Sequence, residues 1–221
     1  MKIVIQIILF LFPWFIRRKI LILMGYSIDR TAHIGFSIIL SHQLIMHENS
    51  RIGSFTVCKN IDKLELNKNS KIGALNFITG YSSHLKQYFK NESYRKCEFI
   101  IGESSSITSR HFFDVNGGIY IGKFTQIAGI RSTFLTHSID VYKNIQSASP
   151  IKIGDYCFCG SNIIILKGVV IEDYTVIGAG SVIVHSIGAE KVVVAGNPAI
   201  IKKHIEIKDV AFFARTQAKV D

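Results

Sequence analysis

A chain of 221 residues with 48% apolar side chains and a formal charge of +10 at pH 7 is long enough to bury one substantial core, and nothing in its length demands a second large domain. The positive charge favours anionic partners, but its lysines and arginines are spread along the chain and no nucleic-acid module signature is present, so DNA or RNA binding is not expected. Four cysteines, Cys58, Cys97, Cys157 and Cys159, without a convincing signal peptide fit a reducing, cytoplasmic compartment, where thiols act as small buried apolar groups.

Residues 1–24 form an apolar and basic N-terminal segment. IVIQIILFLFPWFI (residues 3–16) precedes Arg17-Arg18-Lys19 and a second apolar run. As a helix those first residues reach roughly 21 Å at ~1.5 Å per residue, short of the ~30 Å hydrocarbon core, so a single membrane span is not expected. Pro13 should break the helix, while Trp14 and the basic trio suit a membrane interface. Two readings stand side by side: short helices in peripheral contact with the inner face of a membrane, or helices that cap a β core and stay dry.

From residue 25 onward an aliphatic residue followed by glycine recurs at Ile34-Gly35, Ile52-Gly53, Ile72-Gly73, Ile101-Gly102, Ile121-Gly122, Ile153-Gly154 and Ile177-Gly178, with Ile171-Glu172 as a variant. The spacings are 18, multiples of six, or such numbers plus an insertion. A six-residue beat of isoleucine and valine lacks helical period and sustained alternation, and matches short parallel strands joined by tight turns. Three beats make an 18-residue coil, and stacked coils make a solenoid with a one-dimensional core. Glycine at these corners fits turns that are tight or need positive φ. Two polar insertions interrupt the beat, at 81–98 and 138–149. Long loops leaving a rigid solenoid are where function tends to sit. The β-helix is expected over 25–203, with 204–221 as a C-terminal helix or tail packing by Phe212 and Phe213.

The segment PIKIGDYCFCGSNIIILKGVVIEDYTVIGAGSVIVHSIGAEKVVVAGNPAIIKK, Pro150 to Lys203, resembles the C-terminal half of the hexapeptide-repeat acyltransferases. More narrowly it is similar to the maltose, galactoside and polysaccharide O-acetyltransferases. The match is strongest from about Asp114 to Lys203, and "IGAGSV" with "AGNPA" after 18-residue coils is its specific part; residues 25–113 match by period alone. The resemblance implies a mainly β protein, a left-handed parallel β-helix, usually a homotrimer, that moves acetyl from acetyl-CoA to a hydroxyl without a metal. The left hand comes from the family, since the general crossover rule favours right-handed connections.

Acyl transfer from a thioester to a sugar hydroxyl needs a base, donors for the developing oxyanion, and alignment of two substrates. His137 is the candidate base: it follows "FLT" where a strand should end and opens the second insertion, the place that the catalytic histidine holds in the resembling family. Asp114 matches an acidic residue that lies near the acceptor in the family, where it would bind acceptor hydroxyls or orient His137; a turn aspartate bonded to its own backbone before Asn116-Gly117-Gly118 is the competing reading. Asp140 in the insertion is a weaker orienter. The resemblance assigns the CoA side to Gly160, Ser161, Gly178 and Ala179, which lie on one corner of adjacent coils, and to His185 and Lys203. Phe158 matches a position that lines the site. Two departures bear on the nucleotide end: His185 and Ile200 stand where the family commonly has basic residues.

The expected partners are therefore acetyl-CoA, a sugar or glycan acceptor, and two further copies of the chain. A non-catalytic β-helix that scaffolds a glycan-assembly complex or binds glycans is the alternative. An amine acceptor usually accompanies an extra domain for which this chain has no room, and the remaining histidines lack the registry of a β-helical zinc site.

Overall fold

The computed structural model describes residues 2–85, 87–92 and 94–216. Lys86 and Ser93 of the first insertion, and residues 217–221 of the expected tail, lie outside the described residues. As far as Val182–Ile183 the prism strands have two to four residues, each ending where the chain turns a corner, and each beyond the first coil pairs in parallel with the one a coil earlier. The result is three sheets that form the faces of a prism: seven strands from Ser27–Ile28 to Val170–Ile171, nine from His33–Ile34 to Ala199–His204, and seven from Ile38–Leu40 to Val182–Ile183.

Registers give the length of each coil directly. Lys152 pairs with Val170, Phe158 with Val176 and Ile164 with Val182, all 18 residues apart. The third face pairs Ile38 with Val57, 19 apart, and the first pairs Gln43 with Lys63, 20 apart. The first coil is again 18 residues long, Ser27 pairing with Ile45 and His33 with Arg51, so the longer coils lie between the two ends.

Inward residues build the core, two on each three- or four-residue strand of the first face and one on each of its two-residue strands. On the first face Ile28, Met46, Leu66, Ile101, Ile121, Ile153 and Ile171 stack in consecutive registers and are all buried. Each such aliphatic contributes roughly 1.5–3 kcal/mol relative to exposure. On the third face Phe113 and Phe134 stack inside the prism with ring centroids 4.7 Å apart, a rigid floor under the residues that follow them. All four cysteines are free and buried, and burial pushes the Cys97 and Cys157 thiols up to about 12.

The repeat glycines are not at positive φ. The left-handed residues of the corners are others, such as Phe55 at 60° and Tyr156 at 56°. A Cβ on Gly53 would instead lie 2.6 Å from the carbonyl carbon of Gly73, and one on Gly73 2.6 Å from the Thr108 carbonyl oxygen. Positive φ is therefore not what these corners require; close approach of a backbone one coil away, a reason the sequence did not offer, is what excludes a side chain at Gly53 and Gly73.

Helices α1 (Lys2–Leu9) and α2 (Trp14–Leu23) break at Pro13 and sit on the first coil. The buried Gln6 amide donates to the Ile39 carbonyl at 2.6 Å and accepts from the Ile39 N–H at 2.7 Å. Trp14 Nε1 donates to the Ala32 carbonyl at 3.0 Å, and Arg17 to the Gly35 carbonyl at 2.6 Å.

The other end is a tail of short turns. After an antiparallel hairpin, Val192–Gly196 with Ala199–His204, the chain makes two 3-10 turns, Ile207–Asp209 and Ala211–Ala214, rather than an α-helix. Phe213 is buried edge-on to Tyr174 and Phe212 stands edge-on to Phe158. The Arg215 guanidinium lies 3.6 Å from the Phe212 ring centroid and donates to the Phe124 carbonyl. These side-chain anchors on the prism flank decide the path, and local helical propensity does not.

Candidate active site

The strands Phe112–Asp114 and Thr133–Leu135 are neighbours on the third face, with Asp114 opposite Leu135. Alternation turns Phe113 and Phe134 inward and Asp114 outward, at the corner where the third face gives way to the first. Two residues past Leu135, His137 crosses this corner and closes over Asp114.

The pair is tightly defined. His137 Nδ1 and Asp114 Oδ2 are 2.5 Å apart, with the His137 side chain 32% exposed and that of Asp114 4%. Oδ2 also accepts from the backbone N–H groups of Thr136 at 3.0 Å and His137 at 3.1 Å. Oδ1 accepts from Asn116 Nδ2 at 2.5 Å and the Asn116 N–H at 3.2 Å. Thr136 Oγ1 donates to the Asp114 carbonyl at 2.7 Å and accepts from the Gly117 N–H at 2.8 Å. A carboxylate facing Nδ1 holds the proton there and leaves Nε2 as the ring's proton acceptor. One carboxylate oxygen thus bonds its own turn and the other faces the histidine.

The second insertion is a β-hairpin, His137–Asp140 against Ile145–Ala148, with His137 opposite Ala148. Asp140 caps its tip by accepting from the N–H groups of Tyr142 and Lys143 at 3.0 and 3.1 Å, so it shapes a turn and does not orient His137. The first insertion folds onto the site. Phe89 is buried and presents its ring edge-on to the imidazole, with centroids 5.9 Å apart at 89°. Arg95 covers Phe89 at 4.5 Å and donates to the carbonyls of Tyr81 at 2.6 Å and Asn116 at 2.8 Å. A cavity of about 350 Å³ opens beside His137, lined among others by Lys59, Tyr81, Phe112, Asp114 and Leu135.

Sequence reasoning missed Asn116, Phe89, Arg95 and Lys59. Asn116 was visible as a turn residue only. Phe89 and Arg95 stand in an aperiodic insertion that carries no register, and Lys59 is placed by pairing with Thr79, which in turn pairs with Asp114.

The other site candidates lie elsewhere on the same chain. Gly160 and Gly178 follow the paired residues Cys159 and Ile177 at the turn from the second face to the third. A Cβ on Gly160 would lie 2.7 Å from the Ala179 nitrogen, so this corner tolerates no side chain at Gly160. The Ser161 carbonyl accepts from the Gly180 N–H at 2.9 Å, and Ala179 is exposed. His185 and Lys203 are both exposed, Lys203 on the terminal hairpin opposite Val193. Phe158 points outward on the second face against Phe212. Within one chain, then, His137 and Asp114 come together, Gly160, Ser161, Gly178 and Ala179 share a different edge, and His185, Lys203 and Phe158 join neither group. Among the described residues, no three His, Cys, Asp or Glu side chains converge as metal ligands.

No protein-family model matches the chain, and no curated protein does. Solved structures do. The polysialic acid O-acetyltransferase OatWY is 20% identical over 81% of this chain and 84% of its own, with a TM-score of 0.58. A mutant of the N-acyltransferase AntD from Bacillus cereus, in complex with dTDP-4-amino-4,6-dideoxyglucose and Coenzyme A, is 15% identical over 87% and 91%, with a TM-score of 0.50. A hexapeptide-repeat acetyltransferase of Vibrio cholerae complexed with acetyl-CoA is 27% identical, with a TM-score of 0.47, over 49% of this chain. The present chain spans 61% of that protein's length. The chain has the left-handed parallel β-helix fold of the hexapeptide-repeat acyltransferases.

Proposed function

We propose that the protein is an acetyl-CoA-dependent O-acetyltransferase that acts on a hydroxyl of a sugar or surface-polysaccharide intermediate, with His137 as general base. The observation that carries this reading is the contact between His137 Nδ1 and the buried Asp114 carboxylate. His137 Nε2 takes the acceptor's hydroxyl proton as that oxygen attacks the thioester carbonyl. His137 then returns the proton to the departing thiolate sulfur, which leaves an acetyl ester and the CoA thiol. Asp114 fixes the tautomer and stabilises the imidazolium formed between the two transfers. The cavity walled by Tyr81 and Phe112 holds the acceptor.

On this reading the acetyl donor lies along Gly160, Ser161, Gly178 and Ala179, with a backbone N–H of that corner facing the oxyanion and His185 and Lys203 near its phosphates. That corner and the His137 corner are the two edges of the third face. The face is apolar where it is exposed: Phe77 and Phe112 stack outside it at 5.8 Å, and Ile164 stands two strands further along, past Thr133. Three copies arranged around an axis along this face would bring the His137 edge of one to the Gly160 edge of the next, which supports a homotrimer with a site shared between copies.

The test is thiol release from acetyl-CoA by purified protein offered a panel of sugars and lipid-linked glycans. Acceptor-dependent release by wild type, reduced ~10²-fold or more in His137→Ala, is the expected outcome. No release, together with no acetyl-CoA shift in thermal stability where ligand at ~100 times its Kd should add about 2.7 kcal/mol, would sink the enzyme and favour a glycan-binding scaffold.

A further inference from the structure

Helices α1 and α2 are held to the prism by one side only. Leu9 and Leu21 are buried in the core, and Gln6, Trp14 and Arg17 are bonded to backbone of the first coils. The other side is bare and apolar: Leu11 is 84% exposed, Leu23 85%, Phe15 65%, Val4 56%, Ile8 52% and Ile7 51%. Six exposed large apolar side chains on two short helices and the turn between them, with the exposed Lys19 between Phe15 and Leu23 on one row of α2, are unusual on a solvated surface and mark an interaction site.

We propose that this face lies on an anionic lipid bilayer. Charge selects that occupant. No aspartate or glutamate occurs before Asp29, whereas Lys2 and Lys19 are exposed on the same helices and Arg30 on the turn beside them. Two copies packed cap to cap would set these cations against one another, while an acidic membrane surface complements each of them. Helix length sets the depth. Eight and ten residues reach only about 12 and 15 Å, against a ~30 Å hydrocarbon core, so the helices lie within the interface. Among the described residues no helix is long and apolar enough to cross a membrane. Pro13 lets the two short helices lie as separate segments, and exposed Leu11 and Phe12 beside it form the tip that enters the acyl boundary.

The prism then stands on the membrane by its first coil. The third face climbs four strand steps from Ile38–Leu40 to Thr133–Leu135, about 19 Å at ~4.8 Å per step, which lifts His137 clear of the headgroups while the cavity beside it reaches down to Lys59, one step above the first coil. If the acetyltransferase reading holds, its acceptor is a hydroxyl some sugars out along a membrane-anchored glycan. The bilayer surface itself does not depend on that reading.

Flotation of the full-length protein with vesicles tests it without any assay of activity. Wild type should float with mixed phosphatidylglycerol–phosphatidylcholine vesicles and remain at the bottom with phosphatidylcholine alone. Leu11→Glu combined with Leu23→Glu should lower partitioning at least tenfold while leaving the urea midpoint unchanged, since both side chains are free of the core. Lys19→Glu should lower it less and only at low salt. The proposal is overturned if wild type floats with neither vesicle, or if the double variant floats as well as wild type. It is equally overturned if wild type instead forms a larger assembly in solution that the double variant dissolves, which would make the face a contact between copies.

Discussion

Asp114→Asn keeps the size of the side chain and removes one acceptor from a group that uses both. The carboxylate takes five hydrogen bonds, two on Oδ1 from Asn116 and three on Oδ2 from Thr136, His137 N–H and His137 Nδ1. An amide offers one acceptor oxygen, so its NH2 group must face either the Asn116 pair or the three groups on the other side. Two buried donors at least lose their partner, at about 1–3 kcal/mol each, and the expected destabilisation is about 2 kcal/mol or more. Where the NH2 faces His137, Nδ1 becomes the acceptor and the proton moves to Nε2, the tautomer that cannot serve as base. Trapping the wrong tautomer in this way costs ~10⁴ in turnover in serine-protease triads, and a loss of ~10² or more is expected here. Three measurements separate the effects: a urea titration, acceptor-dependent thiol release, and the ¹⁵N shifts of the His137 ring, which distinguish the two neutral tautomers. A folded variant that keeps the Nδ1–H tautomer and turns over within threefold of wild type would refute the orienting role.

Stability should also fall on mild acidification because of His111, which lies within the prism wall. Its Nδ1 accepts from the Ser132 N–H at 3.1 Å, its Nε2 stands 2.9 Å from Thr108 Oγ1, and burial lowers its pKa from 6.5 to about 4. The folded value lies below the unfolded one, so as pH falls the unfolded chain takes the proton first. Stability is full above about pH 6.5, declines toward pH 4 by roughly 2–3 kcal/mol, and levels off below. Urea midpoints at pH 7.5 and 4.5 check this, and His111→Gln should flatten that part of the profile; an unchanged profile would count against it. Gly53→Ala should cost about 1–3 kcal/mol by forcing stacked backbones apart. Gly188→Ala, with nothing within 4 Å of the added methyl, should stay within about 0.5 kcal/mol of wild type. Equal midpoints for the two alanine variants would remove close approach as the reason for the repeat glycines.

The period of the solenoid was legible because every coil needs an inward aliphatic at the same place, and a one-dimensional core writes that need into the chain as a beat. His137 was legible for a related reason: it stands where the beat stops and an insertion begins. Asp114 was visible with turn and orienter as competing readings, and only the folded contacts show that one oxygen bonds Asn116 while the other faces Thr136 and His137. The repeat glycines marked the corners, but whether φ or close approach required them depends on a backbone one coil away.

The remaining features have no local signature. Phe89 and Arg95 lie in an insertion without period, and their place over His137 follows from hydrogen bonds to Tyr81, Ser82 and Asn116 and from the Asp62 carboxylate, which accepts from Ser82 Oγ at 2.5 Å. The C-terminal turns follow the aromatic side chains of neighbouring coils. The N-terminal helices were foreseen with two competing surroundings; the fold shows a capping side bonded to the first coil and exposed apolar side chains away from it. What sequence alone determined was whatever repeats with the coil, since stacking imposes the same demand at every turn. What tertiary structure decided was whatever depends on contact between segments whose separation in sequence is no multiple of that repeat, because there only folded distance, and not the pattern of residues, says which side chains meet.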